Sequence, residues 1–189
     1  MRINRRLVTL ALALFAVAGC GAAPKPEIAP TPTGAVSADG GEGGPVIVYV
    51  VRHAEKLVAA DNPKDPPLTE GGTQRAAALA KAIDPKALVA VYATPFTRTR
   101  STAAPCAEAA GIPVIEYPPD DTAGLVAEIR EVRKGSVLVV GHSNTVPEIL
   151  TALGASEAVT LTDDDFGDLF VVALAPDGTA TMERKRFGD

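Results

Sequence analysis

Continuous runs of β-branched residues alternate along this chain with segments of helical periodicity. Val46–Val51 reads Val-Ile-Val-Tyr-Val-Val, and Val137–Val140 reads Val-Leu-Val-Val. A strand that is apolar at every position is covered on both faces, as in a parallel sheet between two layers of helices. Between these runs, residues 69–83 carry apolar side chains at helical spacing. This alternation predicts an α/β sandwich around a mainly parallel sheet.

The individual elements follow from the same patterns. Strands are predicted at Val46–Val51, Leu88–Ala93, Pro113–Tyr117 and Val137–Val140, and helices at Thr69–Ile83, Thr94–Ala110, Thr122–Val132 and Val146–Leu153. Residues 169–174 and 179–186 flank Asp177-Gly178 and predict a terminal hairpin. The fold class is therefore a three-layer α/β/α sandwich, in which active sites lie beyond the carboxyl ends of the strands.

The N-terminus resembles a bacterial lipoprotein signal. Three arginines within residues 1–6 precede an apolar run at 7–16, and Val-Ala-Gly leads into Cys20. We expect residues 1–19 to be removed, Cys20 to carry the lipid, and residues 20–45, rich in Gly and Pro, to form a disordered tether. An ordinary signal peptide with an incidental Cys is the alternative. The domain would then span 46–189 and face the periplasm or cell exterior as a membrane-anchored lipoprotein.

Composition narrows the possible partners. The formal net charge is −5, whereas a nucleic-acid-binding protein normally presents a basic face, so no nucleic-acid partner is expected. After lipidation of Cys20 only Cys106 would remain, and one thiol cannot form an internal disulfide. An acidic protein that binds phosphate must gather its positive charge locally, which directs attention to arginines at strand ends.

Both histidines of the chain come directly after a predicted buried strand. His53 follows Arg52 at the end of the first strand, and His142 follows Gly141 at the end of a later one. Carboxyl ends of parallel strands meet at one edge of the sheet, so we expect the two rings to lie close together. Arg98 lies near the start of the helix after strand 88–93, from which its side chain can reach the same edge.

This set of side chains suits a phosphoryl group. Arginine offers a permanently charged planar fork for the phosphoryl oxygens. One histidine nitrogen can attack phosphorus to form a covalent intermediate, and a second histidine can donate to the transferring group. The guanidinium groups supply the positive charge, and the histidines, cysteines and scattered acids show no zinc-binding pattern, so neither a metal nor another cofactor is expected.

Four segments together resemble the histidine phosphatase superfamily, the phosphoglycerate mutase-like proteins. Val51–Glu55, which reads Val-Arg-His-Ala-Glu, resembles the signature of that family. Leu68–Ala76 is similar to its Leu-Thr-x-x-Gly-x-x-Gln-Ala segment, Thr94–Ala103 to its Ser-x-Leu-x-Arg-Ala-x-x-Thr-Ala segment, and Gly141–Asn144 to its second histidine motif. These segments span nearly the whole domain in the order of the family.

The resemblance implies a role for each residue at the strand ends. His53 would be the nucleophile that becomes phosphohistidine, and Arg52, Arg98 and His142 would line the phosphate pocket. Arg100 competes with Arg98 for the family arginine, but the spacing to the Thr-Ala pair favours Arg98.

The proton donor for the leaving group is less sharply defined. Glu116 is the best candidate, because it lies on a strand where related mutase-type members carry a catalytic Glu. The glycine-containing surroundings of that Glu are replaced here by Tyr117-Pro118-Pro119. Asp120, Asp121 or no acid at all are the alternatives. The run Asp163–Asp165 is interpreted as a solvated loop.

The leading hypothesis is a metal-independent phosphomonoesterase that acts on a phosphorylated small molecule or protein outside the cytoplasmic membrane. A mutase is disfavoured, because its sugar-acid phosphates are cytosolic and little chain lies between Arg98 and His142 to build a selective lid. Two alternatives remain: a catalytically silent phosphate-binding or phospholigand-binding lipoprotein, and a phosphohistidine protein phosphatase, which the small size of the domain suggests.

Overall fold

The computed structural model of the chain describes residues 44–59 and 61–188. The described strands are β1 (Val46–Arg52), β2 (Leu88–Ala93), β3 (Val114–Glu116), β4 (Ser136–Gly141), β5 (Asp168–Leu174) and β6 (Ala180–Arg186). The described helices are α1 (Glu70–Ala82), α2 (Thr97–Ala110), α3 (Thr122–Glu131) and α4 (Thr145–Leu153), with a short 3-10 helix at Pro85–Ala87.

The strands form one sheet in the order β3-β2-β4-β1-β5-β6. The pairs β3-β2, β2-β4 and β4-β1 are parallel, whereas β5 and β6 are added antiparallel at one side. The predicted α/β class, the mainly parallel sheet and the terminal hairpin are therefore confirmed. The parallel part is the one in which strand ends converge at a single edge.

The central strand β4 shows why the sheet needs helices on both faces. Val137, Leu138, Val139 and Val140 are all fully buried. Val137 and Val139 belong to the core with α3 and α4, and Leu138 and Val140 belong to the core with α1 and α2. Successive side chains of a strand point to opposite faces, so an uninterrupted apolar run fills two cores at once.

The start of α2 differs from the sequence expectation. The helix was predicted from Thr94, but it begins at Thr97. The side chain of Asp65 accepts hydrogen bonds from the Thr97 backbone N–H and hydroxyl, both at 2.7 Å. A carboxylate from a distant loop thus caps the helix at this residue, and Thr94–Phe96 connects β2 to α2 outside the helix.

Two other helix ends are capped by residues next to them in sequence. The Thr69 hydroxyl accepts a hydrogen bond of 2.9 Å from the backbone N–H of Gly72 and caps the start of α1. Gly111 ends α2 with a φ of 70°, a left-handed conformation that favours glycine.

The signal peptide predicted at 1–19, Cys20 and nearly all of the tether lie outside the described residues. Within residues 44–59 and 61–188, none of the helices combines the length and the hydropathy needed to span a bilayer.

Candidate active site

The two histidines lie side by side at the carboxyl edge of the parallel strands. Because β1 and β4 are neighbours and Arg52 is in register with Gly141, the next residue of each strand, His53 and His142, leaves the sheet at the same level. The ring centroids are 5.4 Å apart. Their exposed fractions are only 3% and 9%. The sheet topology therefore places two imidazoles in one largely buried position.

Both rings line a cavity of about 350 Å³. Arg52 and Arg98 line it as well, so the structure brings together four of the five residues predicted for catalysis. The other residues that line the cavity are Lys56, Phe96, Pro119, Ser143, Asn144, Thr145 and Asp163.

Arg52 is held by the loop that precedes β5. Its Nη1 donates to the backbone carbonyls of Thr162 and Asp165, at 2.6 and 3.4 Å, and its Nη2 lies 3.3 Å from Asp163 Oδ1. The Phe166 ring centroid lies 4.4 Å from the guanidinium carbon, which is close enough for a cation–π contact. The Nε–H is buried and has no partner among the described residues.

Arg98 is likewise held by an aromatic ring and a carboxylate. The Phe96 ring centroid is 4.3 Å from its guanidinium carbon, and Asp65 Oδ1 is 3.8 Å from its Nη1. Its Nε is also buried without a described partner. A buried donor without an acceptor costs about 1–3 kcal/mol. An oxyanion in the cavity is the kind of group that both arginines are suited to accept.

The hydrogen bond of His53 determines which of its nitrogens can react. Nδ1 lies 2.8 Å from the backbone carbonyl oxygen of Ala54. A carbonyl oxygen can only accept, so Nδ1 carries the hydrogen and donates it. In the neutral ring, Nε2 then keeps its lone pair and is the nucleophilic nitrogen.

A chain of hydroxyls determines the tautomer of His142. Thr99 Oγ1 lies 2.8 Å from each of two carbonyl oxygens, those of Thr94 and Phe96, and its single hydrogen is used there. Thr99 Oγ1 therefore accepts from the Thr94 hydroxyl at 2.9 Å. The Thr94 oxygen in turn accepts from His142 Nε2–H at 2.8 Å. Nδ1 of the neutral His142 ring is the position left to take up a proton.

Burial and neighbouring positive charge keep both rings neutral. Burial lowers the pKa of His53 to about 3 against the opposing effect of the Ala54 carbonyl, and that value includes the smaller lowering by Arg52, His142 and Arg98. Burial likewise lowers the pKa of His142 to about 4, with added repulsion from Arg98, Arg52 and Lys56. A neutral His53 is the form that can attack phosphorus.

Two contacts show what residues within the family-like segments do in the fold. The Thr102 hydroxyl donates to the Arg98 carbonyl at 2.7 Å and accepts from the Ala54 backbone N–H at 3.0 Å, so it joins α2 to the segment after His53. A Cβ at Gly72 would collide with the carbonyl oxygen of Glu55, so α1 packs closely against that segment only with glycine there.

The structure does not bring Glu116 into the cavity. Its carboxylate pairs with Arg100 at 2.8 Å, and its side chain is 49% exposed. The nearby alternatives are also engaged or absent from the lining: Asp121 caps α3 by accepting from Gly124 N at 2.9 Å, and Asp120 does not line the cavity. The assignment of Glu116 as proton donor stays a prediction that this placement does not support.

Several residues that shape the site were not predicted from the sequence. Thr94 and Phe96 lie inside the family-like segment Thr94–Ala103, and Lys56 lies three residues after His53. Their closeness in sequence to candidate residues could have indicated a place in the site. Asp163 and Phe166 lie in a loop 110 or more residues from Arg52 in sequence. The acids of that loop had been interpreted as solvated, and nothing local to it indicates contact with Arg52.

The remaining ionisable groups add no further reactive site. Among residues 44–59 and 61–188, no three His, Cys, Asp or Glu side chains are grouped as a metal site. Cys106 is buried in the core with α2, and burial raises the pKa of its thiol to about 12. A thiol in that state is a poor nucleophile.

Several solved structures share this fold. The protein histidine phosphatase SixA, solved in complex with tungstate, is 20% identical with a TM-score of 0.60, and the match covers 75% of this chain and 97% of that one. A proposed phosphohistidine phosphatase SixA from Nakamurella multipartitia is 25% identical with a TM-score of 0.51, over 78% and 97% of the two chains. A phosphoglycerate mutase from Bacillus anthracis is 17% identical with a TM-score of 0.54, over 78% and 95%.

The sequence also matches a family model. The model of the histidine phosphatase superfamily, branch 1, matches residues 48–119, which contain both arginines of the cavity and His53. No curated protein matches the chain. The second histidine lies beyond the matched residues, and the sheet topology places its ring beside His53. Residues 48–119 thus match the histidine phosphatase superfamily, and the described residues share the fold of the similar SixA structure.

Proposed function

We propose that this phosphatase hydrolyses phosphomonoesters through a phosphohistidine intermediate on His53. The observation that carries the proposal is the donor set of the cavity. Arg52 and Arg98 line the same cavity as His53, and each guanidinium stacks on an aromatic ring. A phosphoryl group offers its oxygens to these two cations, at a site where a nucleophilic nitrogen is available.

The first step transfers the phosphoryl group to the enzyme. His53 Nε2 attacks phosphorus, the bond from phosphorus to the leaving oxygen breaks, and that oxygen takes up a proton. Arg52 and Arg98 donate to the nonbridging oxygens and balance their charge. His142 donates to the same oxygens once Nδ1 has taken up a proton, while Thr94 keeps its ring oriented through Nε2.

The second step releases phosphate. Water attacks the phosphohistidine, the bond from phosphorus to Nε2 breaks, and the water gives up one proton to solvent, which replaces the proton that the leaving oxygen took from solvent in the first step. His53 returns to the neutral ring because its Nδ1–H stays bonded to the Ala54 carbonyl throughout. The positive charge of the site comes from side chains of this chain.

The test compares the wild-type protein with His53→Ala on 4-nitrophenyl phosphate. We expect turnover in the wild type and loss of turnover in the variant, together with an acid-labile phosphoryl label on the wild type alone. Equal background from both proteins would instead support the alternative of a silent phosphate-binding lipoprotein.

A phosphohistidine protein phosphatase is the second candidate. The two similar SixA structures favour it, because one is described as a protein histidine phosphatase and was solved with tungstate, an oxyanion analogous to phosphate. Incubation with a protein that carries phosphohistidine is the direct assay. Dephosphorylation far faster than hydrolysis of small esters supports this candidate, and a strong preference for small esters contradicts it.

We also propose that the domain is tethered through a lipid on Cys20 and faces the outside of the cytoplasmic membrane. The sequence pattern before Cys20 supports this location. Cys20→Ser is expected to move the protein from the membrane fraction to the soluble fraction. A wild-type protein that is already soluble would contradict the anchor.

A further inference from the structure

Asp163 is the one carboxylate among the described residues that line the cavity. Its Oδ1 lies 3.3 Å from Arg52 Nη2, and its side chain is 94% exposed. Its Oδ2 makes no hydrogen bond to any described residue. The cavity therefore has an acceptor at its rim with one oxygen free to meet an incoming group.

The turn that carries Asp163 is built to hold it there. Asp165 Oδ2 accepts from the backbone N–H and the hydroxyl of Thr162, at 2.6 and 2.7 Å, which closes the turn around Asp163. The Thr162 and Asp165 carbonyls bind Arg52, and the Phe166 ring stacks on it. Asp163 thus belongs to a structured turn fastened to an arginine of the active site.

The chemistry of the Asp163 carboxylate limits what it can do. The carboxylate lies beside the Arg52 guanidinium and is open to solvent. An ionised carboxylate accepts hydrogen bonds and has none to give. Asp163 is therefore suited to a leaving group that presents a hydrogen, and poorly suited to supply a proton to a departing alkoxide.

We propose that Asp163 accepts a hydrogen bond from the leaving group and thereby selects phosphoryl groups carried on an imidazole nitrogen. A phosphoryl-imidazole departs as neutral imidazole when its other nitrogen bears a hydrogen. The bond from phosphorus to the leaving nitrogen breaks, its electron pair stays on that nitrogen, and the new bond forms to His53 Nε2. The hydrogen on the far nitrogen remains in place, where a carboxylate stabilises it.

The enzyme already holds its own imidazole in this way. The Nδ1–H of His53 is bound to the Ala54 carbonyl at 2.8 Å, so Nε2 can gain and release a phosphoryl group without a proton transfer on the ring. Asp163 would accept a hydrogen bond from the far nitrogen of the substrate imidazole, as the Ala54 carbonyl accepts one from His53 Nδ1. Transfer of the phosphoryl group between two imidazoles breaks one phosphorus–nitrogen bond and forms another. Such a transfer needs no proton donor for the leaving group.

The inference rests on the proposed phosphatase activity, and one pair of variants separates the two. Asp163→Asn keeps the shape of the side chain and removes its charge. Asp164→Asn is the matched control, because Asp164 is the adjacent acid and does not line the cavity. Each variant and the wild type are assayed for kcat/KM on free phosphohistidine, on 4-nitrophenyl phosphate, whose leaving group needs no proton, and on phosphoserine.

We expect Asp163→Asn to lower the ratio of kcat/KM for phosphohistidine over 4-nitrophenyl phosphate by about tenfold or more, the loss typical of a charge-assisted hydrogen bond. Asp164→Asn should leave this ratio at the wild-type value. Equal losses on both substrates would show that Asp163 acts only through Arg52 and would overturn the proposal. The largest loss on phosphoserine would also overturn it, in favour of Asp163 as a proton donor. Failure of the proposed function itself would appear in the wild type, as absence of hydrolysis of all three substrates.

Discussion

The two neutral histidines make the stability of this protein depend on pH in a calculable way. Their pKa values fall from 6.5 to about 3 for His53 and about 4 for His142. The native state therefore binds fewer protons than the unfolded chain below pH 6.5. Stability is complete above that pH and decreases as the pH falls toward 4, because unfolding then allows both rings to take up protons.

The size of this loss of stability follows from the difference between the pH and the histidine pKa in the unfolded chain. At pH 5 the unfolded rings are almost fully protonated and the native rings are not, and each pH unit below 6.5 costs about 1.4 kcal/mol per histidine. The pair should lower the free energy of unfolding by about 4 kcal/mol between pH 8 and pH 5. For a domain of this size, that corresponds to a decrease of roughly 10 °C in the melting temperature.

Denaturant unfolding at a series of pH values measures this loss directly. The sequence contains only two histidines, so substitution of both accounts for every histidine in the chain. His53→Asn and His142→Gln should each remove about half of the loss, and the double variant should be nearly flat between pH 8 and pH 5. Saturating inorganic phosphate should also flatten the wild-type profile, because a bound anion favours the protonated rings.

Two outcomes would contradict neutral histidines in the native state. A wild-type protein equally stable at pH 8 and pH 5 would mean that the native rings titrate as the unfolded ones do. An undiminished loss in the double variant would assign the pH dependence to carboxylates. Either outcome would remove the argument that His53 is held neutral and nucleophilic by its surroundings.

Three further tests, with four substitutions, probe the cavity and its border. Arg98→Ala should lower kcat/KM for 4-nitrophenyl phosphate by about 100-fold, as expected for loss of a transition-state donor. Arg100→Ala, on the same helix but outside the cavity, should change kcat/KM by less than about twofold. Comparable losses in both variants would contradict the choice of Arg98. Thr94→Val should destabilise the protein by about 1–3 kcal/mol in urea unfolding, because the His142 Nε2–H loses its acceptor; unchanged stability together with an unchanged pH–rate profile would argue against the hydroxyl chain. Glu116→Gln should preserve turnover within about twofold, since the carboxylate pairs with Arg100 at the surface; abolished turnover would restore Glu116 as the proton donor.

Much of the fold was predictable because its pattern is local. An apolar run such as Val137–Val140 can be satisfied only between two helical layers, so the α/β class and most elements could be read from the chain. The start of α2 could not be read in this way. Its first N–H groups are free until some acceptor reaches them, and Asp65 supplies that acceptor from a loop more than 30 residues earlier.

The placement of the acids shows the same limit at the site. Glu116 at a strand end is locally a reasonable proton donor, and only the packing of α2 beside β3 reveals that Arg100 takes its carboxylate. Asp163 is locally a reasonable solvated charge, and only the fold brings its turn to Arg52 across 111 residues of sequence. A carboxylate has no periodic signal of its own, because its role depends on which cation the tertiary structure places beside it.

The order of residues along the chain is enough to show where the reactive residues leave the sheet. Arg52-His53 and His142 follow strands whose apolar runs can hardly be anything but buried parallel strands, and parallel strands end at a common edge. The tertiary structure decided the state of those residues. The Ala54 carbonyl and the Thr94–Thr99 hydroxyls select the tautomers, burial keeps the rings neutral, and Phe96 and Phe166 stack on the two arginines. The positions of the strand ends follow from the local sequence. The protonation and orientation of the side chains at those ends depend on contacts that only the folded chain makes.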